Sequence, residues 1–197
     1  MRAWKRISGP DGVPVTVDDM KSHLGIQHDA LNRRIDDALL EAVEYVEGRL
    51  GQSLMPQVWD YYIDEFRRLI ELPRPPLQAV TYVKYWDIAG VLQTVIASLY
   101  DVDTVSDVGR VCLKRDAVWP QTQVRQHAIQ IRSACGYADA ESVPAVAKRA
   151  IKMLVGHWID VAPNAVVVGT ISKEFEFSVN ALLDTLPQVR PLEPCDA

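Results

Sequence analysis

Catalytic and metal-binding signatures are missing from this 197-residue chain. It has no HExxH or two-His-one-carboxylate spacing, and no Ser-His-Asp or Cys-His arrangement in a motif context. Ser8-Gly-Pro-Asp-Gly lacks the Gly-Lys-Ser/Thr and the preceding strand that a phosphate loop requires. Cysteine is scarce: Cys112, Cys135 and Cys195 lie too far apart to match a zinc spacing. Their odd, sparse count suits a reducing compartment, with Cys112 and Cys135 expected as small apolar residues in strands. No apolar run approaches the ~20 residues that span a bilayer. Met1 to Arg6 is basic, but Ser8-Gly-Pro-Asp-Gly follows where a secretory leader needs an apolar stretch. A soluble protein, intracellular when made, is therefore expected. A net charge of −5 argues against a dedicated DNA grip, which needs a basic patch or stripe. These absences make an enzyme the minority reading, and no cofactor or metal is expected.

The histidines do not change this. His23 and His28 straddle Gly25 near Asp18, Asp19 and Asp29, a placement that suits a surface or capping role. His157, beside Trp158 near the end of a helix, suits the helix dipole.

What the chain does have is a clear sequence of patterns. Residues 1–15 hold Gly9, Pro10, Gly12 and Pro14 and are expected as an extended arm. Thr16-Val-Asp-Asp is a capping-box pattern that opens a short helix ended by Gly25. From about Asp29 to Leu50, Leu31, Ile35, Leu39, Ala42, Val43, Val46 and Leu50 recur at helical spacing, and Gly51 supplies the stop. Val58 to Phe66 is rich in aromatic and β-branched residues and predicts a strand. Pro73, Pro75 and Pro76 form a corner, because proline cannot serve a central ladder. Val80 to Trp86 and Val91 to Ile96 flank a hairpin at Asp87-Ile-Ala-Gly90, and further short strands are expected at Tyr100–Val102, Arg110–Leu113 and Ala128–Ala134. Helix returns from Pro144 to about Asp160, with Ala147, Ile151, Leu154, Val155 and Trp158 as its buried stripe. After a loop from Pro163 to Lys173, a short helix is expected over Val179–Leu186.

The fold class is thus α+β: a helical body (16–55 and 143–186) with an inserted, mostly antiparallel β sub-domain (56–135), an arm (1–15) and a Pro-containing tail (187–197). Two charged patches are candidates for contacts within a subunit or across a subunit interface. Asp37, Glu41 and Glu44 share one helix face with Glu47 adjoining, and Lys148, Arg149 and Lys152 lie in the first half of the late helix, where cations gain nothing from the dipole. A solvated helix face is the plainer reading of the acidic patch, and a contact between the two patches is the sharper one. Val166, Val167 and Val168, with Phe175 and Phe177, form a candidate partner-contact segment, with one more strand as the alternative.

Several stretches, in order, resemble the head–tail connector (adaptor) proteins of long-tailed double-stranded-DNA phages, prophages and gene transfer agents. They are Val15-Thr-Val-Asp-Asp-Met-Lys-Ser-His-Leu, Leu39 to Leu54, Ile70-Glu-Leu-Pro-Arg-Pro-Pro-Leu-Gln-Ala-Val, Trp119-Pro120, Ala134-Cys-Gly-Tyr and Val143-Pro144. The resemblance spans about Val15 to Leu186. It implies a structural protein without catalytic residues, assembled in a dodecameric ring under the portal protein in the neck of a virion. Such a ring extends the DNA channel, with the Asp37, Glu41 and Glu44 face as a candidate lining, lets double-stranded DNA pass without sequence-specific binding, and joins a stopper or tail protein. No membrane is involved, and synthesis takes place in the bacterial cytoplasm. The arm and tail are expected to order on docking. Another neck component, a stopper or tail-completion protein, is the rival reading.

Overall fold

The computed structural model describes residues 2–161 and 173–187. These fall into two compact units, one drawn from residues 2–11 and 51–138, the other from 12–50, 139–161 and 173–187.

The first unit is built from eight strands: β1 (Arg2–Ser8), β2 (Gln57–Ile63), β3 (Leu69–Glu71), β4 (Leu77–Trp86), β5 (Leu92–Thr94), β6 (Tyr100–Asp103), β7 (Arg110–Leu113) and β8 (Ile129–Cys135). They form a five-stranded sheet, β1-β2-β8-β4-β5, and a three-stranded sheet, β3-β7-β6, with every pairing antiparallel. Period-two alternation puts Trp59, Tyr61 and Ile63 of β2 and Ile129, Ile131 and Cys135 of β8 into one core. Ile70, Tyr100 and Val111 enter the same core from the smaller sheet, so two sheets face each other across buried side chains. Full burial of each large apolar residue contributes about 1.5–3 kcal/mol. Trp119 packs on that core, its ring stacked on Phe66 at 4.4 Å and its Nε1–H donating to the Arg67 carbonyl at 2.9 Å.

Gly136 explains the Ala-Cys-Gly-Tyr stretch. Its φ of +111° is glycine territory, and a Cβ there would lie 2.1 Å from the Met55 carbonyl oxygen. The proline corner also takes shape as a bend, with Arg74 at φ 64° and its guanidinium 5.1 Å from the Trp59 ring centre.

The second unit is helical: α1 (Val17–Leu24), α2 (Asn32–Leu50), α3 (Ala145–Val161) and α4 (Lys173–Leu183). Ile35, Leu39, Ala42, Val43, Val46 and Leu50 are the buried stripe of α2, and α3 buries Ala147, Ala150, Ile151, Leu154, Val155 and Ile159. Arg34 locks these two helices: its guanidinium donates to the carbonyls of Trp158 (3.2 Å) and Ile159 (3.4 Å) in the last turn of α3. A cation at a helix C-terminus satisfies otherwise orphaned acceptors and complements the dipole. Arg49 donates to Asn180 (3.2 Å) and Asp184 (2.9 Å), tying the end of α2 to α4.

Several expectations require correction. Residues 2–8 are not a free arm waiting for a partner but strand β1, paired with β2 from Arg2↔Ile63 to Ser8↔Val58. Helix α2 starts at Asn32 rather than Asp29, whose carboxylate instead accepts from Lys21 and Asn32 in a turn. Trp158 is only half-buried, and Ile159 takes its place in the α3 stripe. Helix α4 begins earlier than Val179, so Phe175 and Phe177 lie within it rather than flanking it. The expected loop from Pro163 falls outside the described residues up to position 172, as does the tail from 188 onward.

Candidate interaction surfaces

Asp37, Glu41 and Glu44 are exposed along one face of α2, as helical spacing requires. Leu40, beside Glu41, is 51% exposed, so this face offers an apolar contact among carboxylates. Glu47 is different. It is buried at 4% exposure and does not extend the acidic face. Ten residues after Asp37 the helix has turned roughly 80° away, toward the packed side.

The basic residues of α3 divide in the same way. Arg149 is exposed, whereas Lys148 and Lys152 are half-buried. Thr16 and Asp19 close a capping box at the start of α1: Asp19 N–H donates to Thr16 Oγ1 at 3.1 Å, and Thr16 N–H donates to Asp19 Oδ2 at 3.0 Å. Those hydrogen bonds from Thr16, and then the charges of Lys152 and Lys148, hold the Asp19 carboxyl below its ordinary value. Lys148 also acts on Asp139 and donates to the Glu141 carbonyl at 3.3 Å. Within one chain these two lysines therefore serve Asp19 and Asp139. No ion pair joins them to Asp37 or Glu41 among the described residues.

Val166, Val167 and Val168 lie outside the described residues. Phe175 is half-buried and stacks on His157 with ring centres 4.2 Å apart, so it belongs to the helical packing. Phe177 is 75% exposed and remains available for contact.

A polar cluster on the five-stranded sheet was not legible as a site. Asp60, 1% exposed, lies in the middle of β2. Arg132 of β8 meets it with two hydrogen bonds, Nε at 2.7 Å and Nη2 at 2.8 Å, and Gln130 Nε2 adds a third at 2.7 Å. The guanidinium also lies 5.0 Å from the Tyr82 ring centre, over which Lys84 stands at 4.4 Å. Burial pushes the Asp60 carboxyl up, but the bonds from Arg132 and Gln130 outweigh it and the net shift is downward. The sequence signal was a single charged residue within each of two apolar strands. The cluster is saturated with its own partners, so it acts as a structural tie. No group of three His, Cys, Asp or Glu side chains is placed to hold a metal among the described residues. No described helix is long and apolar enough to cross a membrane.

Comparison with known proteins gives these surfaces a context. Residues 14–104, from the α1 cap through β6, match the family model of the phage gp6-like head-tail connector protein. The match covers just under half of the chain. No curated protein matches the chain significantly. Among solved structures, it is similar to a chain in the neck of an empty gene transfer agent (GTA) particle computed with C6 symmetry, at 20% identity and TM-score 0.74. A chain of the native GTA virion matches at 21% and 0.74, and one from the native GTA neck computed with C12 symmetry at 19% and 0.71. Each comparison covers 96% of this chain and 97% of the other. The fold shared with these GTA chains therefore extends across both units. Two of these structures are particle necks and one is a whole virion.

Proposed function

We propose that this chain is a head–tail connector that builds an adaptor ring of about twelve copies, docks beneath the portal protein and carries the stopper or tail protein on its other side. The observation that supports this most is the match of 96% of the chain, at TM-score 0.74, to a protein in a particle neck, together with the connector family match over 14–104. The exposed Asp37, Glu41 and Glu44 face of α2 lines the channel in this reading. DNA that must slide is served by a like-charged wall, whereas basic contacts to phosphate would hold it. Among the described residues, Arg149 and Phe177 are the exposed members of the other two candidate patches and are assigned to contacts with neighbours in the neck.

Removal of the chain from the particle-producing cell tests the proposal. Packaged heads without attached tails are expected by electron microscopy. Normally tailed particles made in its absence would contradict it.

A further inference from the structure

We infer that neighbouring copies in the ring join edge to edge, strand β1 of one copy pairing with strand β6 of the next. The inference rests on the ring reading proposed above and specifies its contact.

Both strands are sheet edges within the same compact unit, β1 ending the five-stranded sheet and β6 ending the three-stranded one. An edge strand presents a row of main-chain donors and acceptors that can template another strand. Side chains then determine which strand it accepts. On β1, Lys5 and Arg6 are exposed beside Trp4 and Ile7, each 43% exposed. On β6, Asp101 is exposed and Asp103 follows two residues later, with Val102 at 37% exposure and Val105 at 94% just beyond. Lys114 lies 3.6 Å from Asp101, whereas Asp103 accepts from the Val105 N–H (2.9 Å), the Ser106 N–H (3.1 Å) and the Ser106 hydroxyl, so Asp101 is the more available carboxylate of β6.

Like charges directly opposite each other destabilise a strand pair, and opposite charges favour it. Pairing β1 with β1 sets cations against cations, and pairing β6 with β6 sets aspartates against aspartates. Charge therefore favours β1 against β6 over either strand paired with its own copy, and the longer β6 offers more pairing than the three-residue edge β3. That contact uses two different surfaces of each copy. It is heterologous, and repetition of it closes into a ring when the rotation per copy permits. Lys5 also discourages pairing of the open edge with uncharged strands, including β5 (Leu92–Thr94).

Complementary charge reversal tests the contact. Lys5→Glu and Asp101→Lys chains are compared with wild type by sedimentation velocity over a range of protein concentrations, with thermal unfolding as the control for folding. Wild type is expected to assemble. Each variant alone, folded as wild type, is expected to associate about tenfold more weakly or worse. An equimolar mixture of the two is expected to recover assembly, because each reversed edge then meets a reversed partner. Should either reversal disturb folding, Lys5→Gln and Asp101→Asn provide the same comparison with a smaller loss. Either variant assembling like wild type, or a mixture that fails to recover, overturns edge pairing. So does a wild type that stays monomeric throughout. The adaptor reading fails by a different route, through normal tails on particles that lack the chain.

Discussion

Asp60 carries a charge into the middle of an aromatic strand, and the fold keeps it charged by surrounding it with donors. Arg132 and Gln130 supply three hydrogen bonds of 2.7–2.8 Å, so removing the guanidinium strands a buried carboxylate. Arg132→Ala is expected to cost about 3–5 kcal/mol at neutral pH, read from denaturant unfolding. The pH dependence follows from the lowered Asp60 carboxyl. Stability from this group is present above the unfolded value near 3.9 and is lost as pH falls through the lower folded value. Asp60→Asn is expected to flatten that acid loss. Neither residue was legible as half of a pair. Val58-Trp-Asp-Tyr-Tyr-Ile and Ile129-Gln-Ile-Arg each show one charge in an apolar run, but the register that sets them opposite, Asp60↔Arg132, is a long-range fact. Glu47 shows the converse problem. Spacing placed it beside an acidic face, whereas the packing around α2 buried it.

At the scale of elements, the sequence was most informative where local chemistry decides the outcome. The α1 start was readable because Thr16 and Asp19 satisfy each other's backbone without help from the rest of the chain. Thr16→Ala is expected to destabilise the helical unit by about 1 kcal/mol, visible as a lower unfolding midpoint and faster amide exchange in α1. The apolar periodicity of α2 and α3 was equally plain, since each helix buries one continuous stripe. Strand β1 was missed for a physical reason. Arg2-Ala-Trp-Lys-Arg-Ile-Ser has no clean apolar alternation, because an edge strand is half open to solvent and its pairing with β2 bridges fifty-odd residues of chain. Strand β3 was hidden too, as three residues, Leu69–Glu71, held by the partner β7 rather than by their own propensity. The start of α4 was masked by Phe175 and Phe177, which look like strand or loop residues until Phe175 is seen against His157.

At the scale of the whole molecule, the α+β fold class was legible because the ordered markers, from the Thr16 cap through the proline corner to Ala-Cys-Gly-Tyr, each report a local necessity of this fold. Contact residues were not, since charge patterns in one chain do not reveal which charges its own side chains already satisfy. Lys148 and Lys152 are half-buried, and Lys148 donates to the Glu141 carbonyl, leaving Arg149 as the exposed basic group of that helix. The central claim is that copies of this chain form a ring on the portal. Its most direct test is the mass of the protein in solution, measured alone and after mixing with purified portal rings. The account predicts a complex carrying about twelve copies per portal ring, the symmetry of a related neck. A chain that sediments unchanged in the presence of portal would contradict it.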